Sequence, residues 1–298
     1  MQNLPHDKET RACFTSEKGY AWLSADYQSQ ESRIIASVSK DKAMIDLFEH
    51  GCADVHSLVA YMSYPKIIPR DTKIEDIKKL YHDARQEAKG IEFSVNYGGD
   101  YNTIANNKGI PIEEAKQIYD DFMKGFPGIK AYQDYCRVAW LKDGYILMNP
   151  ITGHRCHLLD IEELQETYQQ IQEPGFWEYY QQLKKQDPEN EIVVQVRHYM
   201  KKKAEISKQS INYRIQNRGA MCFKLSSIKL FNWIVSHNYQ DKVKMCVPAH
   251  DEFNLEAPED IKEEVGKVLI NCMVEGAKPF CSNVYLGADI DINDHWIH

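Results

Sequence analysis

Several features that would place this chain in a common class are missing from its sequence. No stretch approaches the roughly 20 apolar residues that span a bilayer, and the first residues lack the basic-then-apolar run of a secretion signal. The eight cysteines include no Cys-x-x-Cys pair, which argues against a zinc ribbon or a thioredoxin-type site. We therefore expect a cytoplasmic protein with no membrane partner, whose cysteines are reduced and mostly buried.

An excess of positive charge, which nucleic-acid binding ordinarily requires, is also missing. The formal net charge is −8, from 36 Lys and Arg against 44 Asp and Glu. Cations are nevertheless concentrated in residues 195–218, where seven Lys and Arg accompany one acid, Glu205. Because salt screens charges over roughly 8–10 Å, such a segment can act as a basic patch despite the negative total. The alternative is a solvated helix face around Lys201–Lys203.

Turn residues and apolar periodicity predict a mixed α and β chain. A helix begins near Pro111 and is interrupted at Phe126-Pro127-Gly128. A hairpin is expected around Asn149-Pro150 and Gly153. The remaining predicted strands cover about 20–26, 242–247, 252–256 and 283–289. The remaining predicted helices cover about 28–38, 41–50, 54–64, 74–97, 201–232 and 258–276.

One predicted helix carries cations and aromatic residues at a strict spacing. Arg85, Lys89, Phe93 and Tyr97 repeat every four residues. Since four residues turn a helix by about 400°, these side chains lie near one face. A face ordered cation, cation, aromatic, aromatic suits a triphosphate at one end and a stacked base at the other. The alternative is an amphipathic core helix whose cations extend into solvent.

Two aspartates far apart in the chain are placed at strand ends. Asp26 ends a predicted strand, and Asp251 lies in a turn between two others, within His250-Asp251-Glu252. Two such carboxylates side by side can bind a pair of Mg²⁺ ions, which lie roughly 3.5–4 Å apart and stabilise both oxygens of an in-line phosphoryl displacement. Each motif alone is also compatible with a solvated acid at a strand end or in a hairpin turn.

Together and in this order, the motifs resemble the polymerase region of family A DNA polymerases, the DNA polymerase I type. Asp26-Tyr27-x3-Glu31-x-Arg33 resembles motif A, Arg85–Gly98 resembles motif B, and His250–Glu252 resembles motif C. Three further segments fit the family, namely Phe126-Pro127, Asn212-x3-Gln216 and the stretch from Gly287 to Trp296, and Gln2–Pro5 resembles its Gln-Asn-Ile-Pro entry to the palm. The resemblance implies an α+β fold of the right-hand polymerase type, with a palm of antiparallel sheet and helices and mostly helical fingers.

The resemblance also implies the chemistry of the site. Asp26 and Asp251 would bind two Mg²⁺ ions, or Mn²⁺ as a substitute, with the backbone carbonyl of Tyr27 completing one coordination shell. Lys89 would serve as an acid for the pyrophosphate leaving group. Catalytic roles would therefore belong to three side chains, Asp26, Asp251 and Lys89.

Nucleotide binding would involve residues from two motifs and one further histidine. Glu31 would lie under the sugar and exclude a ribose 2′-hydroxyl, while Arg85 and Lys89 would hold the triphosphate. Phe93 would pack against the incoming nucleotide, and Tyr97 would stack near the template base. His56 would also reach the phosphates, the alternative being a capping or core histidine. Contacts with primer or template would come from Arg33, Asn212, Gln216 and His250.

The expected domain organisation follows from the same resemblance. The palm would comprise 1–50 and 207–298, the fingers 51–159 with the motif B helix at about 74–97, and an insertion 160–206. The insertion would either contact DNA through Phe176, Trp177, Tyr179 and Tyr180 or be a surface elaboration. Ser94 departs from the family, in which glycine is usual at this position.

The family's helical thumb, which grips duplex DNA and often follows a 3′–5′ exonuclease domain, has no counterpart in this sequence. The chain would be a fragment, a minimal polymerase, or the partner of a separate thumb or exonuclease subunit or processivity factor. The function expected is template-directed addition of dNTPs to the 3′-hydroxyl of primer–template DNA, in the cytoplasm of a bacterial cell or phage-infected host. Alternatives are a catalytically weak polymerase-like DNA-binding module that needs a thumb-bearing partner, a single-subunit RNA polymerase, and a two-metal nuclease.

Overall fold

The computed structural model describes residues 8–49, 54–247 and 249–297, so the Gln2–Pro5 motif lies outside the described residues. The chain divides into two compact units, of which the first combines Met1–Ala53 with Gln216–His298 and the second is Asp54–Ile215. Helices accompany an antiparallel four-stranded sheet, which confirms the expected α+β class. Within the described ranges, no helix has both the length and the apolar character needed to cross a membrane.

The first unit is built on the four-stranded sheet, whose strand order is β4-β5-β1-β6. Its strands are β1 (Tyr20–Tyr27), β4 (Lys244–Met245), β5 (Glu252–Pro258) and β6 (Ala288–Asn293). Its helices are α1 (Lys8–Arg11), α2 (Gln30–Ser39), α3 (Lys42–Glu49) and α13 (Lys262–Ala277). The longest helix, α12 (Glu191–Ser236), contributes its last part to this unit.

The two faces of this sheet differ because side chains alternate along each strand. Leu23 and Ala25 are fully buried, and α13 packs against β1 and β6. Gly266 allows this approach, because a Cβ there would lie 3.2 Å from Ile290 Cδ1. The opposite face carries Ser24, Asp26 and their neighbours on β5 and β6. One sheet face is therefore a packed core, and the other presents polar groups.

The second unit is mostly helical and contains one two-stranded sheet. Its helices are α4 (Val55–Ser63), α5 (Ile74–Leu80), α6 (His82–Asn96), α7 (Tyr101–Lys108), α8 (Ile112–Gly125), α9 (Pro127–Asp143), α10 (Ile161–Gln170), α11 (Phe176–Gln186) and the first part of α12. Its strands are β2 (Tyr145–Asn149) and β3 (His154–His157), which confirm the predicted hairpin.

The prediction of a single helix over 74–97 is wrong, because the chain leaves helical geometry at Tyr81 (φ −131°, ψ 49°). Both α5 and α6 pack on the short helix α4. A straight helix of 24 residues would be about 36 Å long and would extend far beyond a partner of about 14 Å. The residues around Tyr81 include no proline or glycine, so tertiary packing rather than a local breaker explains the division.

Other element boundaries also differ from those predicted. Helix α12 begins at Glu191 rather than near 201, since the Asn190 side chain accepts the backbone N–H of Ile192 at 3.1 Å. The last strand begins at Ala288 rather than 283, because the preceding residues are held as a loop. In that loop, Ser37 Oγ donates to Asn283 Oδ1 and Arg33 donates to the carbonyl of Tyr285 at 2.6 Å.

The segment 160–206 forms α10, α11 and the start of α12, which share one hydrophobic core with Trp140 and Leu141 of α9 and Ile146 of β2. Tyr180 is buried in this core, and Phe176 stacks on it with ring centroids 6.3 Å apart. Trp177 and Tyr179 remain 42% and 50% exposed. Two of the four aromatic residues therefore stabilise the segment itself, and DNA contact by the other two stays a prediction.

Candidate active site

The two aspartates of the predicted metal site meet in the first unit through strand pairing. Asp26 on β1 is the register partner of Glu252 on the antiparallel strand β5, so Asp251 precedes the residue opposite Asp26. Residues 249–252 form a two-residue hairpin turn in which Ala249 and Glu252 exchange both backbone hydrogen bonds. His250 occupies the left-handed region at φ 57°, which fixes the direction of the turn. Pairing in the sheet thus brings two distant motifs together.

The electrostatics of Asp251 reflect this arrangement. Burial, and then the negative charge of Asp26, raise the pKa of the Asp251 carboxyl to about 6, and Glu31 adds to the effect. Glu31 lies in the first turn of α2, two residues after Ser29, which has a left-handed backbone conformation. Like charges close together disfavour ionisation, and a bound cation removes that cost. The site is therefore suited to binding positive charge.

The donor chemistry of these residues fits Mg²⁺, which takes one or two carboxylates and completes its shell with water and phosphate oxygens. Within the described part of the chain, no group of three or more His, Cys, Asp or Glu side chains could hold a metal ion. The described residues therefore do not form a site that would surround a metal ion with protein ligands alone. Two carboxylates, of which Asp251 is ionised at a cost, offer an open site that a substrate phosphate can complete.

The residues behind the acidic site hold its strands in place. Trp22 and Ser24 both donate to Asn254 Oδ1 at 2.8 Å on the polar face of the sheet. On the opposite face, the hydroxyl of Tyr27 donates to the carbonyl of Met273 at 3.0 Å and lies 2.8 Å from Ser226 Oγ. Burial raises the pKa of this tyrosine above its usual range. These contacts fix β1 on both faces and limit the movement of Asp26.

Glu252, the last residue of motif C, is bound within the protein. Trp296 Nε1 donates to Glu252 Oε1 at 2.6 Å, and Arg11 lies 4.0 Å from Oε2. The Arg11 guanidinium also stacks over the Trp296 ring, 4.6 Å from its centroid. Glu252 is 6% exposed. Its carboxylate therefore stabilises the turn that carries Asp251.

The second unit contains the predicted cationic and aromatic face on α6. Lys89 and Phe93 are exposed, Phe93 to 43%, whereas Arg85 and Tyr97 are half-buried. Tyr97 follows the last helical residue, Asn96, as the C-terminal cap. The helix therefore presents a cation and an aromatic ring to solvent, as the four-residue spacing predicts.

Arg85 is held by an acid that the sequence did not single out. Its Nε and Nη2 donate to the two carboxylate oxygens of Asp54 at 2.8 and 2.9 Å. Asp54 also caps α4 by accepting from the backbone N–H and hydroxyl of Ser57. Partial burial alone would raise the pKa of Asp54, but the hydrogen bonds from Arg85 and Ser57 outweigh it and the pKa lies below its usual value.

His56 has a similar partner. Its Nδ1 lies 2.6 Å from Oε2 of Glu92, whose side chain is 2% exposed. In the sequence, Glu92 could have been noticed as a carboxylate within the apolar stripe that includes Ile91 and Val95. The signal for Asp54 is its place before Ser57, three residues later, as in an N-cap. Both acids belong to the same unit as the groups that they bind.

A cavity of about 300 Å³ opens beside the aromatic end of this face. It is lined by Phe93, Ser94, Tyr97, Gly99, Thr103, Asn107 and Lys208. Asn107 donates to Ser94 Oγ at 3.2 Å, so the serine that replaces the usual glycine is part of the cavity wall. Two aromatic rings, three polar side chains and one cation suit a nucleobase with its phosphate.

The four predicted DNA contacts differ in exposure. His250 and Gln216 are exposed and Asn212 is half-buried. Arg33 is 5% exposed, with its guanidinium 4.4 Å from the ring centroid of Phe48 and donating to the carbonyl of Tyr285. Burial lowers the pKa of Arg33. The structure thus uses Arg33 internally, and its contact with DNA stays a prediction.

Known proteins with similar sequences or folds are polymerases. A DNA polymerase from Mycobacterium phage D29 is 38% identical over 151 residues, which are 50% of this chain and 23% of that protein. DNA polymerase I of Pseudomonas aeruginosa is 26% identical over 99% of this chain and 27% of its own length. The thermostable DNA polymerase I of Thermus aquaticus is 24% identical over the whole chain and 30% of its own length.

The fold has a counterpart among solved structures. The POL domain of Pol1 from M. smegmatis, in complex with DNA primer–template and dNTP, superimposes with a TM-score of 0.75 at 23% identity, covering 99% of this chain and 44% of that one. The chain spans about a quarter of the length of the curated relatives named above. The family model for DNA polymerase family A matches residues 1–298. The chain therefore belongs to DNA polymerase family A.

Proposed function

We propose that this chain catalyses template-directed addition of deoxynucleotides to the 3′-hydroxyl of a primer. The observation that carries the proposal is the juxtaposition of Asp26 and Asp251, in which burial and the charge of Asp26 raise the pKa of Asp251 to about 6. Membership of DNA polymerase family A supports DNA synthesis as the reaction. The bacterial and phage relatives support a location in the cytoplasm of a bacterial or phage-infected cell.

Asp26 and Asp251, with the carbonyl of Tyr27, would hold two divalent cations, with Mg²⁺ the natural ion and Mn²⁺ a substitute. When bound, such ions favour the attacking alkoxide and offset the charge of the leaving group. In the reaction, the primer 3′-hydroxyl loses its proton to solvent water, its oxygen forms a bond to the α-phosphorus, and the bond between that phosphorus and pyrophosphate breaks. Lys89, exposed on α6, would donate a proton to the pyrophosphate.

The other proposed roles concern positioning. Arg85 and His56 would bind the triphosphate, and Phe93 and Tyr97 would pack against the nucleotide and near the template base. Glu31 would exclude a ribose 2′-hydroxyl. The proposed contacts with primer or template are Arg33, Asn212, Gln216 and His250. In the proposal, the palm comprises 1–50 and 207–298, the fingers 51–159 and the insertion 160–206. A separate thumb or exonuclease subunit or a processivity factor would be a partner.

Primer extension by the 298-residue chain tests this proposal. Mg²⁺-dependent extension is expected with the unmodified protein, and Asp251→Ala should reduce it at least ~10³-fold, because several kcal/mol of charge stabilisation depend on the metal site. The matched control is Asp260→Ala, which removes an exposed aspartate of the same unit and should leave extension unchanged.

The same assay separates the alternative functions. Parallel reactions with rNTPs identify an RNA polymerase, and loss of labelled primer without dNTPs identifies a nuclease. Primer–template binding without extension would identify a DNA-binding module. Extension that survives Asp251→Ala would overturn the metal-binding role of Asp251.

A further inference from the structure

A buried acid on α6 binds the histidine that is assigned to the phosphates. The side chain of Glu92 is 2% exposed, and its Oε2 lies 2.6 Å from Nδ1 of His56, which is 21% exposed. Asn96, one turn further along α6, donates to Oε1 at 3.5 Å. Helices α4 and α6 pack against each other within the second unit, so the pair joins two contacting helices.

Core packing does not explain an acid at this position. The buried positions of α6 around Glu92 are apolar at Ala84, Ala88, Ile91 and Val95, and the other buried polar side chain of this helix, Asn96, donates to Glu92 itself. An apolar side chain would continue this stripe without the cost of removing a carboxylate from water. The hydrogen bond to His56 offsets part of that cost, and it also determines how the imidazole is held.

We propose that Glu92 is a positioning residue, which orients His56 to bind the triphosphate of the incoming nucleotide. The inference rests on the proposed function for the identity of that ligand. A carboxylate only accepts hydrogen bonds, so Nδ1 of His56 is the donor, and Nε2 is the ring nitrogen that remains for a phosphate oxygen. The ring of Phe93 lies 6.4 Å from that of His56, which places the imidazole beside the proposed nucleotide-binding face.

The charge of Glu92 adds to its effect on orientation. Nε2 donates to a phosphate while Nδ1 donates to Glu92 only when both ring nitrogens carry a proton. A carboxylate at hydrogen-bond distance compensates the charge of that doubly protonated ring. Arg85 is held by Asp54 in the same way. Each of these two proposed phosphate ligands is thus oriented by an acid from its own unit.

A double-mutant cycle tests the role of Glu92. Glu92→Gln keeps the size of the side chain and removes its charge, and it should raise KM for dTTP about tenfold while changing kcat less, since a charged hydrogen bond is worth about that factor. In the His56→Ala background the same substitution should leave KM unchanged. The matched control is Glu87→Gln, because Glu87 lies on the same helix and binds Tyr64 and Lys108 instead of His56.

An equal effect of Glu92→Gln with and without His56 would overturn the inference, because it would identify a structural role. A second measurement uses the unmodified protein, labelled with ¹⁵N-histidine and titrated with dTTP in the absence of DNA. The expected signals show a protonated Nδ1 on His56, assigned by comparison with His56→Ala, and a shift of Nε2 on addition of dTTP. An unprotonated Nδ1, or no response of His56 to dTTP, would overturn the inference. Absence of primer extension would refute the proposed function alone.

Discussion

The two units handle the charges of their functional residues in opposite ways. In the first unit, burial, together with the nearby charge of Asp26, raises the pKa of Asp251 to about 6. In the second unit, Arg85 is bound by Asp54 and His56 by Glu92. The first unit brings like charges together, and the second pairs Arg85 and His56 each with an acid.

This difference has a consequence for ligand binding. A cation that binds between two carboxylates relieves a repulsion that already exists in the folded chain, so its binding also stabilises the fold. A phosphate that binds Arg85 must share it with Asp54, or displace that acid. The acidic site is therefore expected to depend on its ligand for stability, whereas the cationic site is stable without one.

The largest effect on stability is expected when the internal pairing of the second unit is removed. Asp54→Ala deletes the N-cap of α4 and both hydrogen bonds to Arg85, and should lower the free energy of unfolding by about 2–3 kcal/mol. Urea denaturation followed by circular dichroism measures the change. Asp54→Asn retains an N-cap and should lose about half as much, since only the charge is removed. Equal stability of Asp54→Ala and the unmodified chain would show that the pairing of Asp54 with Arg85 does not stabilise the second unit.

A smaller effect of opposite sign is expected in the first unit. In metal-free protein at pH 8, Asp251→Asn should raise the free energy of unfolding by about 1–2 kcal/mol, because it removes a carboxylate that is ionised at a cost. The pKa of Asp251 is raised from 3.8 to about 6 on folding, so the native state holds this proton more tightly than the unfolded chain. The unmodified protein therefore loses stability relative to the variant as the pH rises from about 4 to 6, and the difference is constant above that range.

Denaturation in EDTA at pH 4 and at pH 8 measures this dependence. Addition of Mg²⁺ at pH 8 should stabilise the unmodified chain and leave Asp251→Asn nearly unchanged. Asp260→Asn, at an exposed site, serves as the control. A stability difference that is the same at both pH values would show that ionisation of the Asp251 carboxyl is not its source.

The sequence predicts the residues of both sites from local patterns. The acidic site follows from local patterns, since Asp26 ends a strand and Asp251 lies in a turn, and register then brings them together. The face of α6 follows from the four-residue spacing, which the helix from His82 to Asn96 largely preserves. Local patterns therefore indicate both sets of residues, and the functional roles of those residues stay predictions.

The acids that bind Arg85 and His56 could not be predicted from such local patterns. Asp54 lies 31 residues before Arg85, and Glu92 lies 36 residues after His56, so each contact depends on how α4 packs on α6. The break at Tyr81 has the same origin, because no residue type marks it. Arg33, which the resemblance assigns to DNA, is buried by α3 and the loop before β6. In each case tertiary packing, not local preference, decides the outcome.

The smallest expected effect concerns an acid of the first unit that does have internal partners. Trp296→Phe removes the indole N–H that binds Glu252 but keeps a ring near Arg11, and should lower the free energy of unfolding by about 1 kcal/mol. In a Glu252→Gln background the same substitution should cost less, because the acceptor is no longer charged. Urea denaturation of the four proteins measures the coupling. Coupling near zero would mean that Glu252 gains no stabilisation from Trp296. The expected coupling would show that an internal hydrogen bond stabilises Glu252, in contrast to the ionisation cost of the preceding residue, Asp251.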